Sequence, residues 1–343
     1  MATAAKTLEA ARPAGEALAV EEMRTALLAW YSAHKRDLPW RTTRDPYRIW
    51  VSEIMLQQTR VAAVLDHYRR FLEAFPDVQA LARATEPEVL ALWSGLGYYR
   101  RARMLHRAAK VVANELAGAM PRTAAGLLAL PGVGAYTSAA VASIAFGEPV
   151  AVVDGNVERV LARVSGWSAS ASGFATRVRT FAKALVDEQQ PGNFNQGIME
   201  LGATVCLPRA PLCLGCCWQP WCRTRGEHPM PARPPQQRLR SARVVWLRGI
   251  GAGQQVRLAQ RGADASLMAG MWELPVYEPR SDDSPQFTVR HAITVTNHVV
   301  DVYVVQGGDS QSFEGEWVPV SDLPQRALTG LTLKVLRRTG CMA

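Results

Sequence analysis

The chain has 343 residues, 48% of them hydrophobic, and its formal net charge is +9 with a pI near 9.5. The length allows two domains, and no uninterrupted apolar run approaches about 18 residues, so we expect no membrane-spanning segment. The positive charge favours a polyanionic partner such as nucleic acid, although a merely basic soluble protein stays open.

The first twenty residues are rich in alanine and mix acidic with basic side chains. They lack the apolar core of a signal peptide, so we predict that residues 1–20 are flexible. We also predict a cytoplasmic protein, associated with the nucleoid if it is bacterial. In such a reducing compartment the six cysteines are not expected to form disulfides.

Residues 21–226 have the periodicity of helices. Apolar residues recur at intervals of three and four, as they do from Val61 to Phe75. Turn signals such as those at 75–77 and 120–122 interrupt the pattern. We therefore predict an all-α first domain over 21–226.

One carboxylate stands within an otherwise apolar helix predicted to begin at Asp45-Pro46, with Thr59 predicted as the N-cap of the next helix. Glu53 lies in the middle of that segment. A carboxyl among large apolar side chains tends to stay protonated, which suits a general acid near neutral pH. The alternative is an ordinary solvated or salt-bridged glutamate.

Two glycines, Gly95 and Gly97, indicate an exposed loop before a basic helix. An aromatic side chain on such a loop, here Tyr98, can wedge between base pairs where a nucleotide is extruded. The alternative is that both Tyr98 and Tyr99 belong to the core, beside a solvated basic face.

A tight turn lies between the helical patterns 123–130 and 135–145. Its residues Gly132, Val133 and Gly134 would direct backbone amides outward at the start of the second helix. Such a helix N-terminus binds anions, and the arrangement is that of a helix-hairpin-helix motif, which clamps phosphates without reading sequence. A plain turn between two helices is the alternative.

A second carboxylate, Asp154, precedes a helix predicted to begin near Val157. Either Asp154 or Asn156 is predicted to cap that helix. Capping does not exclude catalysis, because a cap holds a carboxylate in one orientation.

Four cysteines close to one another are suited to a single metal centre: Cys206, Cys213, Cys216 and Cys222. Their spacing, C-x6-C-x2-C-x5-C, differs from that of paired C-x2-C zinc modules and from the ferredoxin run. Cys217 and Cys341 are left over.

Residues 227–242 are rich in proline and basic side chains, which is typical of a linker. Beyond them the periodicity changes to two. Strands are predicted at 243–247, 255–259, 287–289 and 299–305, and a closing helix at 324–338. Residues 243–343 are therefore predicted to form a smaller α+β domain.

Residues 21–226 resemble the adenine DNA glycosylases of the MutY family, within the endonuclease III-like helix-hairpin-helix superfamily. The matching segments are R-D-L-P-W-R (36–41), S-E-I-M-L-Q-Q-T-R-V (52–61), G-L-G-Y-Y-R-R-A-R (95–103), L-P-G-V-G-A-Y-T-S-A-A (130–140), V-D-G-N-V-E-R-V (153–160) and the four cysteines. The resemblance implies an all-α glycosylase domain with a [4Fe–4S] loop at 206–222. A zinc site stays as the alternative.

The resemblance also implies the reaction. Adenine mispaired with 8-oxoguanine or guanine in double-stranded DNA would be flipped out and excised. Glu53 would protonate adenine N7, an ionised Asp154 would stabilise the oxocarbenium-like sugar, and Tyr136 and Asn156 would hold the reacting groups. Bifunctional relatives carry a lysine where Tyr136 stands, so a monofunctional enzyme is expected.

Other residues receive roles from the same resemblance. The pocket for adenine would comprise Arg36, Trp40, Arg41 and Gln196, although many relatives carry an acid at the position of Gln196. Contacts to DNA would come from Gln58, Thr59, Leu96, Tyr98, Gly132, Val133 and Gly134. A monomer is expected.

Residues 243–343 resemble the Nudix-like C-terminal domain of the same family, through R-L-A-Q-R (257–261) and G-M-W-E-L-P (270–275). The metal-binding carboxylate motif of a pyrophosphohydrolase, G-x5-E-x7-R-E-x2-E-E, is missing, so the domain should bind without hydrolysing. In the family it reads 8-oxoguanine. Either Thr294 or the segment with Thr296 and His298 would contact the lesion, and we favour the latter.

Three other functions are alternatives to adenine excision, and a feature of the sequence argues against each. Tyr136 in place of lysine argues against a bifunctional glycosylase acting on oxidised pyrimidines. Glu53 and Asp154 together argue against a non-catalytic DNA-binding protein. The missing carboxylate motif argues against a nucleotide pyrophosphohydrolase.

Overall fold

The computed structural model describes residues 14–225, 239–247, 249–251, 253–276, 281, 284–293, 296–304 and 315–342. Most of the predicted flexible N-terminus and most of the predicted linker therefore lie outside the described residues, as does Thr294.

The described chain up to residue 225 is helical, as predicted. We number its α-helices in chain order as α1 (Ala14–His34), α2 (Pro46–Leu56), α3 (Val61–Ala74), α4 (Val78–Arg83), α5 (Glu86–Trp93), α6 (Arg100–Glu115), α7 (Ala124–Leu128), α8 (Ala135–Phe146), α9 (Gly155–Ser165), α10 (Phe174–Leu185) and α11 (Pro191–Thr204). Short 3-10 turns cover Pro39–Arg41, Cys213–Gly215 and Gln219–Trp221.

Local caps explain where several helices begin. The carboxylate of Asp45 accepts hydrogen bonds from the amides of Tyr47 (2.9 Å) and Arg48 (3.3 Å), with proline at the next position, as predicted. The prediction that Thr59 caps α3 is wrong: Arg60 is the N-cap residue, without a side-chain bond. The hydroxyl of Thr59 instead accepts a hydrogen bond from Arg101 (3.0 Å).

The C-terminal strands form two sheets. The strands are β1 (Leu239–Leu247), β2 (Gly249–Gly251), β3 (Gly253–Gln260), β4 (Trp272–Glu273), β5 (Phe287–Ile293), β6 (Thr296–Val304) and β7 (Glu316–Pro319). One sheet has the order β1-β6-β5, with β1 parallel and β5 antiparallel to β6. In the other, β3 pairs with β2, β4 and β7, all antiparallel.

The closing helix is shorter than predicted. A 3-10 turn covers Val320–Gln325, and α12 spans only Gly330–Arg338. The residues between them are extended because they pair with β4: the amide of Trp272 donates to Ala327 O and the amide of Thr329 donates to Trp272 O, both at 2.9 Å. A tertiary pairing therefore replaces the first turns of the predicted helix.

Packing divides the chain into two compact units. Unit 1 comprises Met1–Gln57 with Asn114–Ala232, and unit 2 comprises Gln58–Ala113 with Arg233–Ala343. Helices α3 to α5 and almost all of α6 thus belong to the same compact unit as the C-terminal strands. The separate 21–226 and 243–343 domains stay a prediction.

Each unit has its own apolar core. In unit 1, buried side chains of α1, α9, α10 and α11 pack together with Trp218, whose indole donates to Met23 O (2.8 Å). In unit 2, valines of β3, β5, β6 and β7 pack under Leu333 and Leu336 of α12. Half-buried cysteines of the cysteine loop pack against the first core, and the second core supports the C-terminal strands.

Candidate active site and nucleic-acid interface

Glu53 lies on α2 among buried apolar neighbours, including Trp50, Ile54 and Met55, and is only 5% exposed. Burial raises the pKa of its carboxyl to about 7; the hydrogen bond from Tyr136 and the charge of Arg41 counteract this rise, and the charge of Asp154 adds to it. A carboxyl with this pKa is half protonated at neutral pH. It can therefore give a proton at neutral pH. Glu200, the other buried glutamate among the described residues of unit 1, cannot.

Tyr136 holds the carboxyl of Glu53. Its hydroxyl donates to Glu53 Oε2 (2.8 Å) and also lies 3.3 Å from Met199 Sδ. Burial raises the pKa of Tyr136 well above its ordinary value, and the charge of the nearby Glu53 adds to this rise. The tyrosine therefore remains a hydrogen-bond donor, placed by the second position of α8.

Asp154 caps α9, as predicted, although the helix begins at Gly155. Its Oδ1 accepts from the amides of Asn156 (2.9 Å) and Val157 (2.7 Å), and its Oδ2 accepts from Asn156 Nδ2 (3.1 Å). Both carboxylate oxygens are thereby oriented by hydrogen bonds. Predicted catalytic residues from α2, α8 and α9 come together, since Tyr136 contacts Glu53 and the charge of Asp154 acts on both.

The segment that leads into Asp154 is fixed by a buried amide. Asn195 of α11 accepts from the amide of Val152 (3.1 Å) and donates to Val150 O (2.8 Å) and to Ser143 Oγ (2.9 Å). With both ends of its side chain satisfied, Asn195 ties this segment to α8 and α11. The sequence analysis did not identify it, because a single asparagine in a helix carries no distinctive signal.

Asn156 has a partner on its other side. Arg159 Nη2 donates to Asn156 Oδ1 (2.9 Å) and to Gly202 O (2.8 Å), and its Nε donates to Cys206 O (2.9 Å). A Cβ on Gly202 would lie 2.8 Å from Asn156 Cβ, so the approach of α11 to α9 requires glycine there. Asn156 is therefore packed in place as well as hydrogen-bonded.

Arg36 and Arg41, both predicted pocket residues, share one carboxylate that the sequence analysis missed. Glu200, which is 1% exposed, accepts from Arg36 Nε (2.8 Å) and Nη2 (2.6 Å) and from Arg41 Nη1 (3.1 Å) and Nη2 (2.7 Å). Although burial raises the pKa of Glu200, these hydrogen bonds outweigh it and lower that pKa to about 2. The only available signal was its position four residues after Gln196, on the same helical face.

The other two predicted pocket residues lie on the same elements. Trp40 is buried within the 3-10 turn Pro39–Arg41, and Gln196 is half-buried on α11. The guanidinium of Arg41 also lies 5.5 Å from the centre of the Tyr31 ring. An aromatic face and an ion pair therefore both restrain Arg41.

The predicted hairpin is formed between α7 and α8. Gly132 has a φ of +74°, which favours glycine, and both Gly132 and Gly134 are exposed. Gly134 is the N-cap of α8, with nothing within 4 Å of the place where a Cβ would lie. Val133 is buried and its amide donates to Leu130 O (3.1 Å), so this residue shapes the turn from inside.

Unit 2 carries the loop that was predicted to act as a wedge, and the loop separates its two tyrosines. Tyr98 is 55% exposed with a φ of +50°, whereas Tyr99 is 6% exposed. Arg101 donates to Gly97 O (3.1 Å) and to Thr59 Oγ1 (3.0 Å), and its guanidinium stacks on the Tyr98 ring at 5.5 Å. One tyrosine is therefore presented outward and the other belongs to the core.

The remaining predicted contacts of this region differ in exposure. Gln58 is exposed and has a φ of +56°, while Leu96 is buried in the same loop as Tyr98. Burial lowers the pKa of Arg101 to about 10, so this guanidinium stays charged at neutral pH. The loop is thus presented on a half-buried cation.

The four predicted metal ligands line one cavity. Cys206, Cys213, Cys216 and Cys222 surround it together with Arg163, whereas Cys217 does not. Arg163 Nη1 approaches Cys206 Sγ at 3.4 Å and also donates to Leu207 O (2.7 Å). The four cysteines border this cavity without converging on one point, since no three His, Cys, Asp or Glu side chains among the described residues are placed to hold a single metal ion.

The favoured lesion contacts lie on β6. Thr296 pairs with Ile293, and His298 pairs with His291 across the β5–β6 ladder. Burial lowers the pKa of His291, and the charges of Lys334 and His298 act in the same direction. None of the described helices has the length and apolar character needed to span a membrane.

The chain is similar to several known proteins. Residues 51–188 match the family described as HhH-GPD superfamily base excision DNA repair protein. The adenine DNA glycosylase of Mus musculus is 42% identical over 312 residues, covering 75% of this chain and 60% of that protein. That of Mycolicibacterium smegmatis is 44% identical over 200 residues, covering 58% of this chain and 68% of that protein.

Among solved structures, a thermostable thymine-DNA glycosylase superposes with a TM-score of 0.57 at 33% identity, covering 61% of this chain and 97% of that one. The chain spans about 60% of the length of the mouse relative. These similarities establish a shared helical glycosylase fold, followed here by a region with strands.

Proposed function

The chain belongs to the adenine DNA glycosylase family, and we propose that it excises adenine mispaired with 8-oxoguanine or guanine in double-stranded DNA, leaving an abasic site. The observation that carries the proposal is the buried Glu53, hydrogen-bonded by Tyr136 and with a pKa of about 7, close enough to Asp154 for the two charges to interact. That pair of carboxyls suits acid-assisted cleavage of an N-glycosidic bond.

Proton transfer comes first in the proposed mechanism. Protonated Glu53 gives its proton to N7 of an adenine that has been flipped from the stack, and adenine becomes a better leaving group. Tyr136 donates to the other side of the same carboxyl and so fixes its orientation. The neighbouring apolar side chains of α2 exclude water from the acid.

Charge stabilisation follows. As the glycosidic bond breaks, positive charge develops on the sugar. The ionised Asp154 would stabilise this charge, because both of its oxygens are oriented by hydrogen bonds from the start of α9 and from Asn156. Water then adds to the sugar and gives its proton to the Glu53 carboxylate, which restores the acid. The expected product is an abasic site with an intact strand.

A monofunctional reaction follows from the residue at the start of α8. Tyr136 stands at the position where bifunctional relatives carry their amine, and its pKa lies well above the ordinary value. A phenol of this kind cannot form an imine with the sugar. We therefore expect strand cleavage only after alkali treatment.

Recognition of adenine is assigned to Arg36, Trp40, Arg41 and Gln196. Glu200 joins this set by holding both arginines in place, which the sequence analysis did not foresee. A net positive charge of one remains on the three ionised groups. It faces a neutral base rather than a phosphate, and the guanidinium planes would act through directed hydrogen bonds.

Contacts to the DNA backbone are assigned to the hairpin. The exposed amide end of α8, a helix of 12 residues, would bind phosphate at Gly132 and Gly134, with Val133 holding the turn from inside. Gln58, Thr59, Leu96 and Tyr98 are assigned to the opened stack, and Thr296 with His298 to the 8-oxoguanine. We propose a monomer acting in the cytoplasm, associated with the nucleoid in a bacterium.

A [4Fe–4S] cluster is proposed as the resident cofactor. The support is that all four predicted ligands, but not Cys217, line one cavity, as a cluster bound by four thiolates requires. When bound, the cluster would hold the loop 206–222 in shape, and the loop carries Arg209, Trp218 and Trp221. A visible absorbance near 400 nm in the purified protein, with iron and without zinc, is the expected observation.

A single-turnover assay tests the proposed function. The substrate is a duplex with adenine opposite 8-oxoguanine, and the products are analysed with and without alkali. Cleavage only after alkali supports the proposal, whereas cleavage without alkali would establish a lyase. Tight binding without product would establish the non-catalytic alternative, and product from a nucleoside triphosphate alone would favour a pyrophosphohydrolase.

A further inference from the structure

The loop that presents Tyr98 has a hydroxyl group at each end, and both hydroxyls approach the same backbone oxygen of the C-terminal region. The carbonyl oxygen of Leu328 accepts a hydrogen bond from Tyr99 Oη (3.2 Å) and lies 3.2 Å from Ser94 Oγ, whose single proton also lies within reach of Leu90 O (3.0 Å). Ser94 is the C-cap of α5 and Tyr99 directly precedes α6. The residues between them, including both loop glycines, thus lie between two hydroxyl groups that approach the same acceptor.

Leu328 is itself held firmly. Its neighbours Ala327 and Thr329 both pair with Trp272 of β4, each through a bond of 2.9 Å, and Leu328 is buried. Thr329 also caps α12, accepting from the amide of Thr332 (3.4 Å). The acceptor therefore cannot move without disturbing both a strand pairing and a helix end.

Close packing adds to this attachment. Gly95 has a φ of +105°, and a Cβ there would lie 3.8 Å from Leu333 of α12 and 3.4 Å from the ring of His67. One turn into α6, Arg103 bridges Glu86 (2.7 Å) and the carbonyl of Ala269. The loop and the C-terminal region thus meet through packed atoms as well as hydrogen bonds.

The same C-terminal helix also contacts the strands assigned to the lesion. A Cβ on Gly330, the first residue of α12, would lie 3.3 Å from the ring of His291, which pairs with His298 on the next strand. The strand pair assigned to the 8-oxoguanine and the loop that carries Tyr98 therefore share one support, the segment 328–333.

We propose that Ser94 and Tyr99 are positioning residues. Their hydroxyl groups approach the same carbonyl oxygen of Leu328, and this contact holds Tyr98 in its wedging orientation. Tyr98 needs such support because a φ of +50° is unfavourable for a tyrosine and persists only when its surroundings impose it. The C-terminal region then takes part in extruding the adenine as well as in contacting the opposite base. This inference rests on the proposed glycosylase function.

The test measures base extrusion separately from chemistry. In a Glu53→Gln background, 2-aminopurine replaces the target adenine opposite 8-oxoguanine, and its fluorescence at saturating protein reports unstacking. Adding Ser94→Ala and Tyr99→Phe should lower the extruded population roughly tenfold, a factor that corresponds to about 1.4 kcal/mol. Duplex affinity should change much less, since the phosphate contacts of the hairpin are untouched.

The matched control is Tyr68→Phe, which removes the hydroxyl of another buried tyrosine of the same unit. Its extrusion signal should equal that of the Glu53→Gln parent. Should the double change unfold the protein, Tyr99→Phe alone serves, because it keeps the ring and loses the hydroxyl that donates to Leu328 O. An unchanged signal in a folded variant, or an equal loss in the control, overturns the inference. Absence of adenine excision by the wild-type protein would instead overturn the proposed function.

Discussion

Two regions of unit 1 each bury a glutamate, and the two carboxyls behave in opposite ways. Burial dominates at Glu53 and raises its pKa to about 7, whereas two arginines dominate at Glu200 and lower its pKa to about 2. Glu53 has one neutral donor, Tyr136, and Glu200 has two cations. The hydrogen-bonding partners of a buried carboxyl, more than burial itself, therefore decide whether the group can act as an acid.

The largest expected effect comes from removing the acid. Glu53→Gln keeps the shape and the bond to Tyr136 but has no proton to give, so we expect the single-turnover rate of adenine excision to fall roughly 10³-fold. Binding of the same duplex should persist. Because an ionised Glu53 is costly to bury, thermal unfolding at pH 8 should show a variant at least as stable as the wild type.

A variant that keeps full excision activity would remove Glu53 from the mechanism. Asp154→Asn is the informative companion, because it should also reduce turnover while keeping a polar cap on α9. A melting curve recorded beside the kinetics separates lost chemistry from lost folding.

The second effect concerns the ion cluster. Glu200→Gln leaves Arg36 and Arg41 close together without their anion, and breaking such a buried pair costs roughly 3 kcal/mol. We expect that loss in the free energy of unfolding measured with urea. Glu188→Gln, a change at a glutamate of the same chain that lies before α11, is the control and should stay within about 0.5 kcal/mol of the wild type.

Glu200→Gln should also change the pKa of Glu53. With its partner neutral, Arg41 would exert a stronger positive field on Glu53 and lower the pKa of that carboxyl. The alkaline limb of the rate profile should then move to lower pH. A limb that stays in place would show that Arg41 and Glu53 are not coupled.

The two carboxyls should give the wild-type protein opposite dependences of stability on pH. The folded pKa of Glu200 is depressed, so its contribution is present above about pH 4.5 and is lost as the pH falls towards about 2. The folded pKa of Glu53 is raised, so its contribution is present below about pH 4.5 and is lost as the pH rises through about 7. Urea unfolding of wild type, Glu53→Gln and Glu200→Gln across this range would assign each limb.

The smallest effect tests the hydrogen bond to the acid. Tyr136→Phe removes a bond that lowers the pKa of Glu53, so this pKa should rise and the alkaline limb of the single-turnover rate should shift to higher pH. The rate at low pH should fall only modestly, since the proton donor is retained. A shift in the opposite direction would show that Tyr136 stabilises the protonated acid instead.

Much of the site was accessible from local patterns. The Asp45-Pro46 start of α2 and the apolar residues around Glu53 indicated a buried acid, and Asp154 was one of the two residues predicted to cap α9. These features follow from residues within a few positions of one another. Glu200 was missed because its meaning comes from two arginines that lie about 160 residues earlier in the chain.

The C-terminal region was less accessible for the same reason. Strands were predicted correctly at β3, β5 and β6 from their alternation, but the helix over 324–338 was predicted too long. Pairing of 327–329 with Trp272 overrode the helical pattern there. The grouping of α3 to α5 and almost all of α6 with the C-terminal strands was not predicted, since no local pattern encodes it.

By itself, the sequence determined the local structure: which segments are helices, where glycine permits the hairpin and the Tyr98 loop, and which cysteines lie close enough to share a cavity. Only the tertiary structure decided that Tyr98 is exposed and Tyr99 buried, and that the pKa of Glu53 is raised while the pKa of Glu200 is lowered. The reason is physical. Backbone preferences and caps depend on near neighbours, whereas desolvation and ion pairing depend on groups that folding brings from distant parts of the chain.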